Sequence, residues 1–211
     1  MNVVPYLKAK QISTLDYLII SHSDFDHGGD YQYILKEIKV KNIVFSSYDQ
    51  GELKSEIMKQ AVKSRILNLK AGDEINCGGL KVKIYGPLKQ YADLNDNSLV
   101  LGFQLYKDYY LYTGDVSQKV EKDLMKNNQL LSVTFLKVAH HGSKYSTSSD
   151  WLRKTNTQYG IISVGNNSYG HPSKEVLDHF RDEAIPYLTT KDQGTIRVKY
   201  FLKRRVILYM T

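Results

Sequence analysis

The sequence predicts an α/β sandwich built as one domain. Three observations carry that expectation. Short apolar runs alternate along the chain with segments whose apolar residues recur at helical spacing. Four of those runs end in polar, glycine-bearing clusters, the pattern of buried strands that deliver functional groups to one sheet edge. Finally, 211 residues that are 42% hydrophobic and 24% charged, with four prolines, suit one packed core of ordinary domain size and exclude disorder.

Taken in order, residues 15–20 read as a buried strand running into Ser21-His22-Ser23-Asp24. Gly28-Gly29 then opens a helix to about Lys39, with Tyr33, Ile34 and Ile38 on one face. Residues 42–46 read as a strand and 52–64 as a helix. Short strands follow over 66–69, 73–76 and 80–85, separated by turns at Ala71-Gly72 and Gly78-Gly79. A polar loop (89–97) leads to strands over 98–106 and 109–113, turned by Lys107-Asp108. A helix spans 116–127, and a buried strand over 133–138 ends in Ala139-His140-His141-Gly142-Ser143. Residues 148–155 form a helix capped by Ser148 or Ser149. A strand over 159–164, a helix from Ser173 to about Glu183, and strands over 186–188, 195–200 and 205–209 close the chain.

A formal net charge of +7 favours polyanionic partners, although a solvated basic surface explains it equally well. The single cysteine, Cys77, excludes an internal disulfide. No stretch approaches the roughly 20 apolar residues that span a membrane, and residues 1–11 lack the apolar core of a signal peptide.

The chemistry concentrates in Ser21-His22-Ser23-Asp24-Phe25-Asp26-His27-Gly28-Gly29. Two carboxylates and two imidazoles follow directly on a hydrophobic strand, where unpaired charge is expensive. A divalent cation compensates it, and this donor set suits Zn²⁺, Mn²⁺ or Fe²⁺. Thr113-Gly114-Asp115 and His140-His141-Gly142-Ser143 add donors at two further strand ends. Each alone is ambiguous: a lone histidine is more often structural, and Asp115 has the position of a helix cap. In this order together, they point to a metal centre.

These residues resemble the metallo-β-lactamase superfamily, whose first signature is His-x-His-x-Asp-His. Asp24 replaces the second histidine, as in the ComEC branch of DNA-uptake proteins, where His-x-Asp-x-Asp-His-x-Gly-Gly is usual. The likeness continues through Asn95-Asp-Asn-Ser-Leu-Val100, Leu111-Tyr-Thr-Gly-Asp115, His140-His-Gly-Ser143, Ile162-Ser-Val-Gly165 with Tyr169-Gly-His-Pro172, and Asp192-Gln-Gly-Thr195, from about residue 4 to 200. Bacterial phosphorylcholine esterases share much of it. The family's opening hairpin, with Val-Gly-Gln-Gly-Asp and Asp-Gly-Gly, is not found, so the chain reads as a fragment of a longer protein.

The resemblance implies an αββα sandwich without that hairpin, holding two divalent metal ions, Zn or Mn. His22 and Asp24 would hold one metal, Asp26 and His27 the other, and Asp115 would bridge them. His141 would complete the ligand set of the second metal, with His140 either its substitute or a contact to substrate phosphate. Asn97, Asp26, His140 and His171 would serve catalysis, with His171 facing the scissile phosphate as donor or general acid. A helix-start residue held by local hydrogen bonds is the competing reading of His171. Ser143 and Thr147 would bind phosphate or cap a turn, and His179 reads as surface. The implied activity is phosphodiester hydrolysis, by a nuclease degrading the strand that is not imported. Its partners would be single-stranded DNA, bound without sequence preference, and the membrane channel portion of the same full-length protein. Its place would be the extracellular face of the bacterial membrane, or the cytoplasm for a stand-alone protein. The alternatives are an envelope phosphorylcholine-type esterase and a non-catalytic domain that binds DNA or a partner. β-Lactamase activity is disfavoured by Asp24.

Overall fold

The computed structural model describes residues 3–127, 132–201 and 204–210. Helix α1 (Val3–Ala9) leads into β1 (Thr14–Ile19), followed by α2 (Phe25–Gly28), α3 (Tyr31–Glu37), β2 (Lys39–Ser46), α4 (Glu52–Gln60) and β3 (Arg65–Leu69). Then come β4 (Glu74–Cys77), β5 (Leu80–Gly86), β6 (Val100–Leu105), β7 (Asp108–Tyr112), α5 (Gln118–Lys126), β8 (Phe135–Lys137), α6 (Ser149–Lys154) and β9 (Tyr159–Ile162). The chain closes with α7 (Lys174–Asp182), β10 (Tyr187–Thr189), α8 (Thr190–Gln193), β11 (Thr195–Phe201) and β12 (Arg204–Met210).

Strands β1, β2 and β3 form a parallel sheet in that order, and a seven-stranded sheet runs β10-β9-β8-β7-β6-β5-β4; β11 and β12 pair separately as a hairpin. Within the larger sheet β4 to β7 are antiparallel, whereas β7, β8, β9 and β10 are parallel. The buried side chains sort into three groups, one for each interface of an αββα sandwich. Ile43, Phe45, Ile34 and Ile57 lie between the small sheet and α3 and α4. Val44, Ile75, Val82, Ile84, Leu99 and Leu101 fill the space between the sheets. Leu111, Leu136, Ile162, Val120, Trp151 and Phe180 lie between the large sheet and α5, α6 and α7. The alternation of Ile43, Val44 and Phe45 between two of these groups is the period of a strand covered on both faces.

This architecture decides where the polar clusters go. In a parallel set every strand ends at the same edge, so the segments after β7, β8 and β9 emerge together. The small sheet joins them there: the Leu99 amide donates to the Ser21 carbonyl (2.9 Å), and the Ile20 amide to Val44 (2.9 Å). Gly114, at φ +52°, sits where these segments cross, and a Cβ there would lie 2.5 Å from that of Ser98 and 3.3 Å from that of Ser21. Only glycine fits both the left-handed backbone and the close approach.

Two expectations need correction. The helix expected to open at Gly28-Gly29 is two: α2 begins at Phe25, inside the ligand-rich segment, and Asp30 (φ −77°, ψ 3°) separates it from α3. The two glycines are not left-handed; a Cβ on Gly28 would lie 2.8 Å from Leu53, and one on Gly29 2.5 Å from the Phe25 carbonyl. They are small so that neighbours can approach. On α3, Tyr31 and Ile34 are buried, and Tyr33 faces outward. Residues 3–9, for which the sequence suggested no element, form α1 and bury Val4 and Leu7.

Candidate metal centre

Three chain segments meet at the shared sheet edge. His22, His27 and Asp115 bring one nitrogen or oxygen each within 4.8 Å of one another, and so do Asp26, His27 and His141. His27 belongs to both groups, its Nε2 lying 3.1 Å from Asp115 Oδ1 and 3.4 Å from His141 Nε2. His141 Nε2 is 3.0 Å from Asp26 Oδ2 and 3.7 Å from Asp115 Oδ2. Asp24 stands slightly apart, half-exposed, 3.6 Å from His22 Nε2. Asp26 and His27 share a group with His141, and His27 stands also in the group of His22 and Asp115.

Each imidazole is oriented from behind. His141 Nδ1 lies 2.6 Å from the Ser163 carbonyl, which can only accept, so that nitrogen carries the proton and Nε2 turns a lone pair toward the cluster. Ser21 Oγ lies 3.1 Å from His22 Nδ1 and 3.0 Å from His27 Nδ1. A hydroxyl has two acceptor lone pairs, enough for both N–H groups in the tautomer that turns both Nε2 atoms toward the cluster. Fixing an imidazole through its far nitrogen is the usual support of a metal ligand. Neither Ser21 nor Ser163 attracted attention in the sequence, since a serine hydroxyl and a backbone carbonyl carry no motif of their own.

The donor atoms fit a cation. His22 Nε2 is buried without a hydrogen-bond partner, and Asp115 Oδ1 is buried with only the His27 ring nitrogen near it, 3.1 Å away and poorly aligned, a costly state for protein alone. Asp115 is 3% exposed; burial pushes its carboxyl upward, but the imidazoles of His27 and His22 and the Lys137 ammonium hold it well below the usual carboxylate range. Burial lowers the His22 pKa, reinforced by His27 and opposed by Asp115, Asp24 and Asp26. Burial also lowers that of Lys137, whose Nζ donates to the Val138 carbonyl (2.9 Å). An ionised carboxylate facing an uncharged imidazole is the donor chemistry that divalent cations take.

Beside this cluster opens a cleft of about 620 Å³, lined by Asp26, Asp115, His140, His141, His171 and the exposed rings of Phe25 and Tyr169. His140 turns away from the cluster toward His171, ring centroids 5.7 Å apart, with its Nε2 3.9 Å from Asp115 Oδ2. The His171 ring makes no capping bond: Ser173 caps α7 by accepting from the Val176 amide, and His171 Nδ1 is buried without a partner. Burial, then His140 and His141, lower its pKa. Its loop is shaped by Asn167, whose Oδ1 accepts from the amides of Tyr169 (3.1 Å) and His171 (3.0 Å).

Other expected residues are not brought in. Asn97 is buried, and its amide is spent on the loop: Oδ1 accepts from the Tyr91 amide (2.8 Å), and Nδ2 donates to the carbonyls of Tyr91 and Asp93 (3.0 Å each). It shapes residues 91–97 and does not face the cleft. Ser143 is buried and its Oγ accepts from the Tyr145 amide (3.4 Å), a turn contact. Thr147 is buried beneath the same turn. Asp115 caps no helix; the residue that precedes α5 is Ser117, whose side chain makes no capping bond. His179 is half-buried, its Nδ1 3.0 Å from the Thr147 carbonyl.

Residues 4–165 match the model of the metallo-beta-lactamase superfamily. The chain belongs to that superfamily. Its members are chiefly hydrolytic metalloenzymes, and the fold binds divalent metals, typically two. Over 97% of its length the chain is 35% identical to ComE operon protein 3 of Bacillus subtilis (strain 168), covering 27% of that protein. Over 97% it is also 30% identical to Recombination protein 2 of Haemophilus influenzae, covering 24%. Such relatives form the ComEC family of competence proteins, and the chain spans about a quarter of their length. Among solved structures, the metallo-beta-lactamase fold protein YhfI from Bacillus subtilis superposes with a TM-score of 0.57 over 84% of this chain and 75% of its own, at 12% identity, which shows the fold.

Proposed function

We propose that the chain hydrolyses phosphodiester bonds in DNA using two divalent cations, Zn or Mn, held by His22, Asp24, Asp26, His27, Asp115 and His141. The observation that carries this reading is the pair of three-residue groups sharing His27, with the unpartnered His22 Nε2 and the Asp115 carboxylate buried among them. Bound there, a cation pair supplies Lewis-acid polarisation of a phosphoryl oxygen and a strong nucleophile at neutral pH.

The chain's own residues do the rest. Asp26 is the exposed member of the two groups and lines the cleft, placed to accept a proton from an attacking water. His171 and His140 face each other across the cleft. With its pKa lowered, His171 offers one ring N–H at neutral pH, to bind a non-bridging oxygen; as a general acid to the departing oxygen it would act from its protonated, imidazolium form.

DNA as substrate is supported by the competence-named relatives and the net charge of +7. In that setting the domain would degrade the strand that is not imported, beside the membrane channel portion of the full-length protein, on the extracellular face. Among the described residues no helix is long and apolar enough to cross a membrane.

The test is cleavage of labelled single- and double-stranded DNA by the Mn²⁺- or Zn²⁺-loaded chain. Metal-dependent loss of substrate, abolished in Asp26→Ala, is expected; intact DNA with both metals bound would refute the reading.

A further inference from the structure

Among the described residues the two most exposed aromatic side chains are Tyr169 at 83% and Phe25 at 80%, and both line the one cleft that holds Asp26, Asp115, His140, His141 and His171. Neither ring is loose. The Phe25 ring lies over Gly29, where a Cβ would come within 2.8 Å of ring carbons, so its inner face is seated on backbone. The Tyr169 ring stacks on His171 with centroids 6.0 Å apart and 23° between planes, and its amide is held by Asn167. Asn167 and His171, which fix the Tyr169 ring, also line the cleft.

We propose that Phe25 and Tyr169 are stacking walls for the unpaired bases of a single-stranded nucleic acid whose phosphate lies at the histidine–aspartate cluster. The inference rests on the phosphodiesterase reading of that cleft. Flat aromatic faces accept any base, which gives affinity without sequence preference, and they need bases whose faces are free, which excludes a duplex. The charges agree: the adjoining hollow beyond Phe25 is lined by Asp24, Asp49, Glu52 and Glu56. It repels phosphates, so the strand's backbone stays on the cluster and Tyr169 side while a base reaches across to Phe25.

The experiment reads fluorescence anisotropy of a labelled oligothymidylate, an abasic oligomer of the same length and a duplex on the Mn²⁺-loaded chain, with cleavage followed in parallel. Phe25→Ala and Tyr169→Ala should each weaken oligothymidylate binding about tenfold, the lower range of one stacked base. Phe25→Trp should restore it, and Val62→Ser, on the exposed surface elsewhere, should bind as wild type. The wild type should bind the abasic oligomer no better than a variant carrying both Phe25→Ala and Tyr169→Ala binds oligothymidylate, and the duplex more weakly than the single strand. Equal binding of abasic and base-bearing oligomers, or alanine variants that bind as wild type, would overturn the proposal. So would Phe25→Ala losing turnover of a phosphorylcholine ester while oligomer binding stays intact, because the rings would then serve a quaternary ammonium group. Base-dependent binding without cleavage would instead sink the hydrolysis reading and leave the walls standing; cleavage with ring-independent binding would do the reverse.

Discussion

The segment after β1 and the segment after β8 both aim imidazoles at the same centre, by different means. The first packs His22, Asp24, Asp26 and His27 into six consecutive positions and holds them with side chains: Ser21 Oγ behind two imidazoles, and Ser23 Oγ donating to Asp49 (2.7 Å) while accepting from the Lys54 amide (3.1 Å). The second aims its histidines with strained backbone. His140 (φ 47°, ψ 46°) and His141 (φ 53°, ψ 20°) are both left-handed, as is Thr147 (φ 51°), a conformation costing on the order of 1–3 kcal/mol per non-glycine residue. What holds it is remote. The buried Glu121 carboxylate of α5 accepts from the Thr147 amide, and from the Ser148 amide (3.0 Å) and hydroxyl (2.9 Å). Gly142, at φ +83°, lets Pro172 approach to where a Cβ would sit 2.7 Å away. One loop is a ligand set with local props; the other is a bent backbone with a distant brace.

Breaking the first loop should remove the metals and spare the fold. His27→Ala takes away the residue common to both groups and should abolish cleavage, with metal content falling below that of His141→Ala and an unfolding transition still cooperative; elemental analysis and thermal melts check this.

Breaking the brace should do the opposite. Glu121→Ala strands the buried Thr147 amide, at about 1–3 kcal/mol, and the half-buried Ser148 amide, so the melting temperature should drop strongly in the apo chain. The brace also has a pH signature. Burial raises the Glu121 pKa from 4.5 to about 7, against the hydrogen bonds from Ser148 and Thr147. A raised folded pKa gives stability that is full below 4.5 and lost as pH rises through about 7. Relative to Glu121→Gln, the wild type should therefore lose stability between those values; a constant difference in denaturant unfolding would contradict the assignment.

A subtler break is Ser21→Ala, which should weaken metal affinity about 10- to 100-fold, as loss of outer support does, with little change in apo stability; competition with a chelator measures it. The smallest effect belongs to Ser143→Ala. With one long turn contact to lose it should cost less than about 1 kcal/mol and leave DNA cleavage unaltered, whereas a phosphate-binding Ser143 would show as a raised KM.

The same contrast explains what the sequence made legible. The first loop could be read because its donors are adjacent in sequence and follow an apolar strand. Most strands and helices were legible for a similar reason, since their apolar periods match the three buried interfaces. The second loop was half-legible: His140 and His141 were visible, but only the Ser163 carbonyl, twenty-two residues away, decides which one faces the cluster. Glu121 resembled any helical glutamate. Asn97 was placed in the site by the resemblance alone, while the backbone groups of Tyr91 and Asp93 claim its amide. Helix α1 escaped notice because Pro5 interrupts its pattern, although a first helical turn tolerates proline.

Everything depends on the two groups that share His27 holding cations. Elemental analysis of the wild-type chain, reconstituted with Mn²⁺ or Zn²⁺ and freed of loose metal, tests this most directly. About two ions per chain, lost on acidification as the imidazoles protonate, is the expected result; fewer than one per chain would contradict it.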